Sequence, residues 1–141
     1  MIGLAVVVAL VAVALTLLAT AAFVGSRLPA AHHVSRSARY AEAVAKVWDA
    51  VSDPESARGF GALHFEQATP VPGRVLIRRV AGERSFAGTW TYELEPDGSG
   101  TRLTITEEAE IRSPLVRFLA RFVVSRTRAL DGYLEGLRRR L

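Results

Sequence analysis

The sequence contains no cysteine and has no charged side chain in its first two dozen residues. Without cysteine there is no disulfide, no thiol nucleophile and no thiolate-bound metal. Residues 2–24 are uncharged, so all 18 basic and 14 acidic residues follow from Arg27 onward. Lys46 is the only lysine. This preference for arginine, together with abundant alanine, valine and leucine, is typical of a high-GC bacterial genome.

The distribution of charge argues against a nucleic-acid partner. The net charge is only +4, and acidic and basic residues alternate along residues 36–112. The basic C-terminal segment lacks the interleaved exposed aromatic residues on which nucleic-acid bases stack. We therefore predict that the chain does not bind nucleic acid.

An apolar segment at the N-terminus predicts a transmembrane anchor over residues 1–26. A helix from Ile2 to Val24 would span about 35 Å at ~1.5 Å per residue, which is enough to cross a bilayer's hydrocarbon core with some tilt. Residues 19–21 resemble a small-residue cleavage site, so a cleaved signal peptide is the alternative. We favour the anchor because the run is long for a signal peptide and no lysine or arginine precedes it.

Residues 27–33 are predicted to link this helix to a domain over residues 34–141. Arg27, Arg36 and Arg39 follow the apolar segment, whereas only the terminal amine precedes it. The positive-inside rule then predicts a single-pass protein of the bacterial cell membrane with its C-terminal domain in the cytoplasm. His32 and His33 would point to opposite faces of an extended segment, so we interpret them as linker residues and predict no metal site.

Hydrophobic periodicity in the domain predicts one strand, one or two short helices, four strands and a last helix. Asp53 followed by Pro54 is a good start for the second short helix. The predicted strands are 34–40, 62–68, 74–80, the run from Phe86 to Glu95, and 101–107, and the first helix is 42–52.

The strongest local pattern is a hairpin followed by a helix. Residues 88–95 and 101–107 both alternate, and residues 96–100 between them contain the glycine and aspartate of a tight turn. Pro114 opens a helical pattern that we predict to continue as one long amphipathic helix to the end of the chain. A sheet closed by such a helix is one way to build a hydrophobic pocket.

These segments together resemble the SRPBCC superfamily, the START-like helix-grip group that includes polyketide cyclase/dehydrase-like proteins. The resemblance covers roughly residues 34–141, and it implies a curved antiparallel sheet packed on a long C-terminal helix. The order of an N-terminal membrane helix followed by such a domain is similar to a recurring bacterial arrangement of this group. The residues that carry the resemblance are 37–40, 43–53, 88–94, 100–107 and 113–115.

The chain departs from this family in the length of its sheet. The family usually has six strands after the short helices, whereas only about four are found here, and the shortfall lies between Glu55 and Leu63. We therefore predict an α+β fold with about five strands. The missing strands would form part of the pocket wall and one sheet edge, and an uncovered edge could pair with another copy of the chain or with a partner.

The resemblance and the inward-facing apolar positions predict a hydrophobic ligand site. Trp90 and Tyr92 would share one strand face, for which packing in the core is the alternative to ligand contact. The arginines of the last helix could either contact anionic lipid headgroups or be solvated. The predicted ligand-binding residues are Phe65, Trp90, Tyr92, Leu103, Ile105, Phe118 and Phe122.

No catalytic motif is present in the sequence, and no cofactor is predicted. Glu107 is the one unusual residue, because strict alternation directs it to the sheet interior, where a carboxylate could act as an acid/base or bind a ligand. We favour the interpretation that Glu107 lies at the rim or is turned outward by a bulge. His64 is expected to face solvent, and the orientation of Arg79 is left open.

The sequence thus predicts a membrane-anchored domain that binds a hydrophobic small molecule or lipid without catalysis. One alternative is an enzyme of the cyclase/dehydratase type with Glu107 as acid/base. Another is an accessory protein that pairs through an exposed sheet edge.

Overall fold

The computed structural model describes residues 1–60, 63–84, 86–122 and 126–141. The chain begins with helix α1, Ile2–Arg27, which is long and apolar enough to cross a membrane by length and composition. A three-residue connection then leads into β1, Ala31–Tyr40, so the strand includes His32 and His33. The segment that the sequence predicts to be a linker therefore overlaps the start of the sheet.

The strands that follow β1 are β2 Phe65–Val71, β3 Val75–Val80, β4 Phe86–Asp97 and β5 Gly100–Ile111. With β1 they form a five-stranded antiparallel sheet in the order β1-β5-β4-β3-β2. This confirms the predicted number of strands. β2 lies at one edge, and six of its seven residues are exposed, so pairing with a second copy stays a prediction.

The β4–β5 hairpin is the longest continuous pairing in the sheet. Its register runs without a shift from Phe86 opposite Ile111 to Asp97 opposite Gly100. Gly98 has a φ of 61°, and no residue other than glycine has a positive φ among the described residues. A two-residue turn with glycine at its first central position is type II′, whose twist matches the strands on either side.

Between β1 and β2 the chain forms helix α2, Val44–Ser52, and a 3₁₀ helix, Pro54–Phe60. In the resembling family, further strands would be expected between Glu55 and Leu63, but the described residues there form this 3₁₀ helix. Residues 61 and 62 lie outside the described part of the chain.

One face of the sheet, which we call the inner face, packs against α2 and the last helix, α4, Arg126–Arg140. Tyr40 fastens the last helix to β1 by donating a hydrogen bond of 2.8 Å from its hydroxyl to the carbonyl of Leu134. The core side chains are Tyr40, Val47, Val51, Leu76, Trp90, Tyr92, Leu94, Leu103, Ile105, Leu130, Tyr133, Leu134 and Leu137.

The predicted C-terminal helix is described as two helices with different partners. Helix α3, Pro114–Phe122, packs beside α1, whereas α4 packs on the sheet. Residues 123–125, where the sequence predicts the helix to continue, lie outside the described residues.

Candidate functional site

Glu107 lies on the inner face of β5 and is only 5% exposed. It is directly opposite Trp90, whose Nε1–H donates a hydrogen bond of 2.9 Å to the Oε2 atom of Glu107. The expectation that Glu107 sits at the rim or is turned outward is therefore wrong. The β4–β5 register has no bulge at this position, and the indole N–H provides the donor that a buried carboxylate requires.

Aromatic side chains surround this hydrogen bond. The Phe65 ring meets the Trp90 ring edge-on, with centroids 5.4 Å apart and an angle of 80°, and the Phe86 centroid is 6.2 Å from that of Trp90. A Cβ atom at Gly88 would come within 2.9 Å of the Trp90 ring, so the indole uses the space that glycine leaves. We call Phe65, Phe86, Trp90 and Glu107 the Trp90–Glu107 cluster.

The cluster combines an apolar surface with one carboxylate, the combination found in sites that bind small amphiphilic molecules. Trp90 is 4% exposed, whereas Phe65 and Phe86 are half-buried, so the cluster is accessible mainly through its two phenylalanines. A ligand hydroxyl or amine could donate a hydrogen bond to Glu107 in competition with the indole. Without a ligand, the indole keeps the carboxylate satisfied.

A cleft of about 290 Å³ opens beside Phe65, between the 3₁₀ helix and the β2 side of the sheet. Its volume is close to the lower end of the range for small-molecule sites. Phe65 belongs both to this cleft and to the cluster, and it therefore connects the surface with Trp90. The cleft is lined by Pro54, Ala57, Arg58, Leu63, His64, Phe65, Gln67 and Arg78.

The structure separates the seven predicted ligand-binding residues into three groups. Phe65 and Trp90 meet in the cluster. Tyr92, Leu103 and Ile105 are 0% exposed and pack in the core. Phe118 and Phe122 lie on α3 with ring centroids 5.0 Å apart.

Arg78 is a buried charged residue that sequence analysis missed. It lies on the inner face of β3, 1% exposed, and its guanidinium is within hydrogen-bonding distance of five acceptors. Arg79, whose orientation the sequence left open, is exposed on the other face. The acceptors are the carbonyls of Val51 and Asp53, Ser56 Oγ, Gln67 Oε1 and the Tyr92 hydroxyl, at 2.7 to 3.4 Å.

These bonds fasten the turn between α2 and the 3₁₀ helix to the sheet. The guanidinium also lies 5.2 Å from the Tyr92 ring centroid, and burial raises the pKa of the Tyr92 hydroxyl. In the part of the chain that the structure describes, no carboxylate forms an ion pair with Arg78. Arg78 thus brings a positive charge to the inner end of the 290 Å³ cleft.

The remaining polar candidates lie outside the Trp90–Glu107 cluster. His64 is exposed, as predicted. His33 is on β1 with its Nδ1 atom 3.7 Å from Glu108, and both side chains are largely exposed. Within the described ranges, no three histidine, aspartate or glutamate side chains are placed to hold a metal ion.

Substitution of Glu107 tests whether the indole hydrogen bond holds the cluster together. Glu107→Leu removes the acceptor of the Trp90 N–H and is expected to lower the free energy of unfolding by about 1–3 kcal/mol. Glu107→Gln keeps an acceptor oxygen and should cost clearly less. Urea unfolding followed by tryptophan fluorescence measures both variants, and equal losses would contradict the assigned role of the bond.

Solved structures share the architecture of this domain. A START superfamily protein from Mycobacterium smegmatis superposes with a TM-score of 0.56 at 16% identity, with 77% of this chain and 98% of that chain covered. A conserved protein from Geobacillus kaustophilus gives a TM-score of 0.61 at 15% identity, covering 77% and 94%. The di-domain ARO/CYC protein StfQ of the steffimycin biosynthetic pathway gives 0.53 at 11% identity, covering 77% and 50%.

Sequence comparison alone does not find these similarities. No protein-family model matches the sequence, and no curated protein is significantly similar to it. At identities this low, the structural matches establish the fold and leave the ligand open. The domain has an SRPBCC-like fold, which it shares with this START superfamily protein, and it consists of a five-stranded sheet with a long apolar helix in front of it.

Proposed function

We propose that this protein is a membrane-anchored binding protein for a hydrophobic small molecule or lipid and that it does not catalyse a reaction. The observation that carries the proposal is the Trp90–Glu107 cluster, where two half-buried phenylalanines flank a buried tryptophan and Phe65 opens onto the 290 Å³ cleft. An apolar chain could lie along these rings, while its polar end meets Arg78, which lines the same cleft.

The anchoring part of the proposal is supported by α1. Its 26 residues have a mean hydropathy of 2.9 in the most apolar window, and their side chains are exposed along most of the helix. At ~1.5 Å per residue the helix is about 39 Å long, against roughly 30 Å for a hydrocarbon core. With Arg27, Arg36 and Arg39 after the span, the domain would face the cytoplasm.

The full chain, purified in detergent, tests ligand binding. Organic extraction followed by mass spectrometry is expected to release a bound lipid or apolar metabolite, and the protein should take up a fluorescent fatty acid. Phe65→Glu places a charge where the cluster meets the cleft and is expected to reduce both signals several-fold, because burying an unpaired carboxylate among apolar groups is costly.

Ala68→Glu is the matched control, since Ala68 is exposed on the same strand, does not line the cleft and receives the same carboxylate. It should leave uptake unchanged. Far-UV circular dichroism of both variants shows whether they fold. Protein that is consistently empty and takes up no fatty acid would overturn the proposal.

A second candidate function is an enzyme of the cyclase/dehydratase type, favoured by the buried Glu107 carboxylate on the inner face. StfQ, an ARO/CYC protein, has the same fold. Glu107 lines none of the four clefts bounded by described residues, so we rank this function second. If it holds, a bound molecule is converted to a product lighter by a water, and Glu107→Gln stops the conversion but not the binding.

A further inference from the structure

The C-terminal end of α1 is fastened to the start of α3. Gly25 is buried against the backbone of Pro114, where there is no room for a side chain. Arg117 adds hydrogen bonds from its Nη1 atom to the carbonyls of Gly25 and Leu28, at 3.3 and 3.1 Å, and from its Nη2 atom to the carbonyl of Arg112, at 2.9 Å. The position of α3 is therefore set by the helix proposed to span the membrane.

The contact extends back along α1. Ala21, Ala22 and Val24 are half-buried, unlike the exposed residues that precede them, so α3 lies beside the last two turns of α1. Because α1 is roughly 9 Å longer than a hydrocarbon core, these turns would lie where the acyl chains meet the headgroups. That places α3 at the depth of the membrane surface.

The other side of α3 is apolar and exposed. Val116, Leu119 and Phe122 are 42%, 43% and 60% exposed. Such a surface on a short helix is unfavourable in water, and it adjoins the apolar surface of α1. Arg121 is exposed on the same helix, with its guanidinium 5.7 Å from the Phe122 ring centroid, and Arg27 lies on the neighbouring end of α1.

We propose that α3 is an interfacial membrane helix. Val116, Leu119 and Phe122 insert into the leaflet from which α1 emerges, while Arg27 and Arg121 contact anionic lipid headgroups. Apolar residues on one side and arginines at the edge are the composition of helices that lie in this layer. The inference rests on the proposed anchoring by α1.

A second feature at the same level fits an anionic headgroup. A cleft of about 280 Å³ lies between α3 and the start of β1, and Arg117, Arg121 and His32 are among its lining residues. Each basic residue near an anionic membrane surface contributes about 1 kcal/mol of attraction. The cleft therefore gives the phosphate of a neighbouring lipid a basic place beside the inserted helix.

The absence of cysteine makes the test direct, because any introduced cysteine is the only labelling site. The full chain is reconstituted in vesicles of phosphatidylcholine and phosphatidylglycerol and carries a nitroxide at Leu119→Cys or Phe122→Cys. Power-saturation spectroscopy compares collisions with oxygen, which concentrates in lipid, and with a water-soluble nickel chelate. For labels at both positions, the ratio of collisions with oxygen to collisions with the nickel chelate is expected to be several-fold higher than for a label at Glu95→Cys, near the hairpin tip.

A label at Leu10→Cys separates this inference from the anchoring on which it rests. If the label at Leu10→Cys is in lipid while the labels at positions 119 and 122 are as accessible to the nickel chelate as the label at Glu95→Cys, α1 is an anchor and the interfacial role of α3 is wrong. If Leu10→Cys is also in water, both the anchoring and the inference fail.

Gly25→Leu provides an independent perturbation of the α1–α3 contact. The new side chain would meet the Pro114 carbonyl and push the two helices apart, so the labels on α3 should become more accessible to the nickel chelate while Leu10→Cys stays in lipid. Gly3→Leu is the control, since nothing lies near a side chain there. Unchanged α3 labels in Gly25→Leu would contradict the placement of α3 by α1.

Discussion

Arg78→Met is expected to lower the free energy of unfolding by about 3–5 kcal/mol, since it removes the donor of five hydrogen bonds, each of which contributes about 0.5–1.5 kcal/mol. Methionine keeps much of the aliphatic volume of arginine but cannot donate. The carbonyls of Val51 and Asp53 and the hydroxyl of Ser56 would lose the donor that they share at 2.7 to 3.0 Å. The turn between α2 and the 3₁₀ helix would then lose its main attachment to the sheet.

The neighbouring residue supplies the control for this prediction. Arg79→Met makes the same chemical change one position along β3, on the exposed face, and is expected to change stability by no more than about 0.5 kcal/mol. Urea unfolding of the full chain in detergent, followed by tryptophan fluorescence, compares the two. Similar losses for both variants would show that the buried hydrogen bonds of Arg78 do not stabilise the domain.

The domain is expected to lose stability steeply at alkaline pH. Burial raises the pKa of the Tyr40 hydroxyl from 10.0 to about 12, and burial also raises that of Tyr92. In the unfolded chain both phenols ionise near their ordinary pKa, whereas the folded domain keeps them protonated. Their contribution is therefore fully present below pH 10 and is lost as pH rises towards the folded values.

The expected loss from Tyr40 alone is about 3 kcal/mol over roughly two pH units, because one pKa unit corresponds to about 1.4 kcal/mol. Urea midpoints measured between about pH 8 and about pH 12 would follow it. Tyr40→Phe should flatten the curve, although it also removes the hydrogen bond to Leu134, worth about 1 kcal/mol at neutral pH. A wild-type curve that is level up to pH 12 would refute the prediction.

The sequence predicted the sheet well because alternation records burial directly. The hairpin and the number of strands were predicted from the alternation of apolar and polar residues along each strand and from the glycine in the turn. Which face of β3 is buried could not be predicted, because Val75, Leu76 and Ile77 are all apolar and show no alternation. Pairing decides it: Leu76 and Arg78 lie opposite Tyr92 and Trp90, on the buried side.

The two buried charges were the hardest features to predict. A carboxylate or guanidinium inside a sheet is unfavourable unless partners compensate, and those partners lie far away in the sequence. The indole of Trp90 donates a hydrogen bond to Glu107 across the hairpin. Arg78 donates to acceptors that are spread along the sequence from Val51 to Tyr92. For the same reason, one apolar stripe after Pro114 could not reveal that α3 packs on α1 while α4 packs on the sheet.

The short connection between α1 and β1 limits where the domain can go. Three residues separate the helix from the strand, and at ~3.6 Å per residue they extend roughly 11 Å. The Ile111 amide also donates a hydrogen bond of 2.8 Å to the Ala30 carbonyl, which holds the last residue of this connection against the sheet and reduces its reach further. Under the proposed anchoring by α1, a domain held in this way could not carry a ligand to another membrane. Any lipid it binds would be drawn from, and returned to, the leaflet at its base.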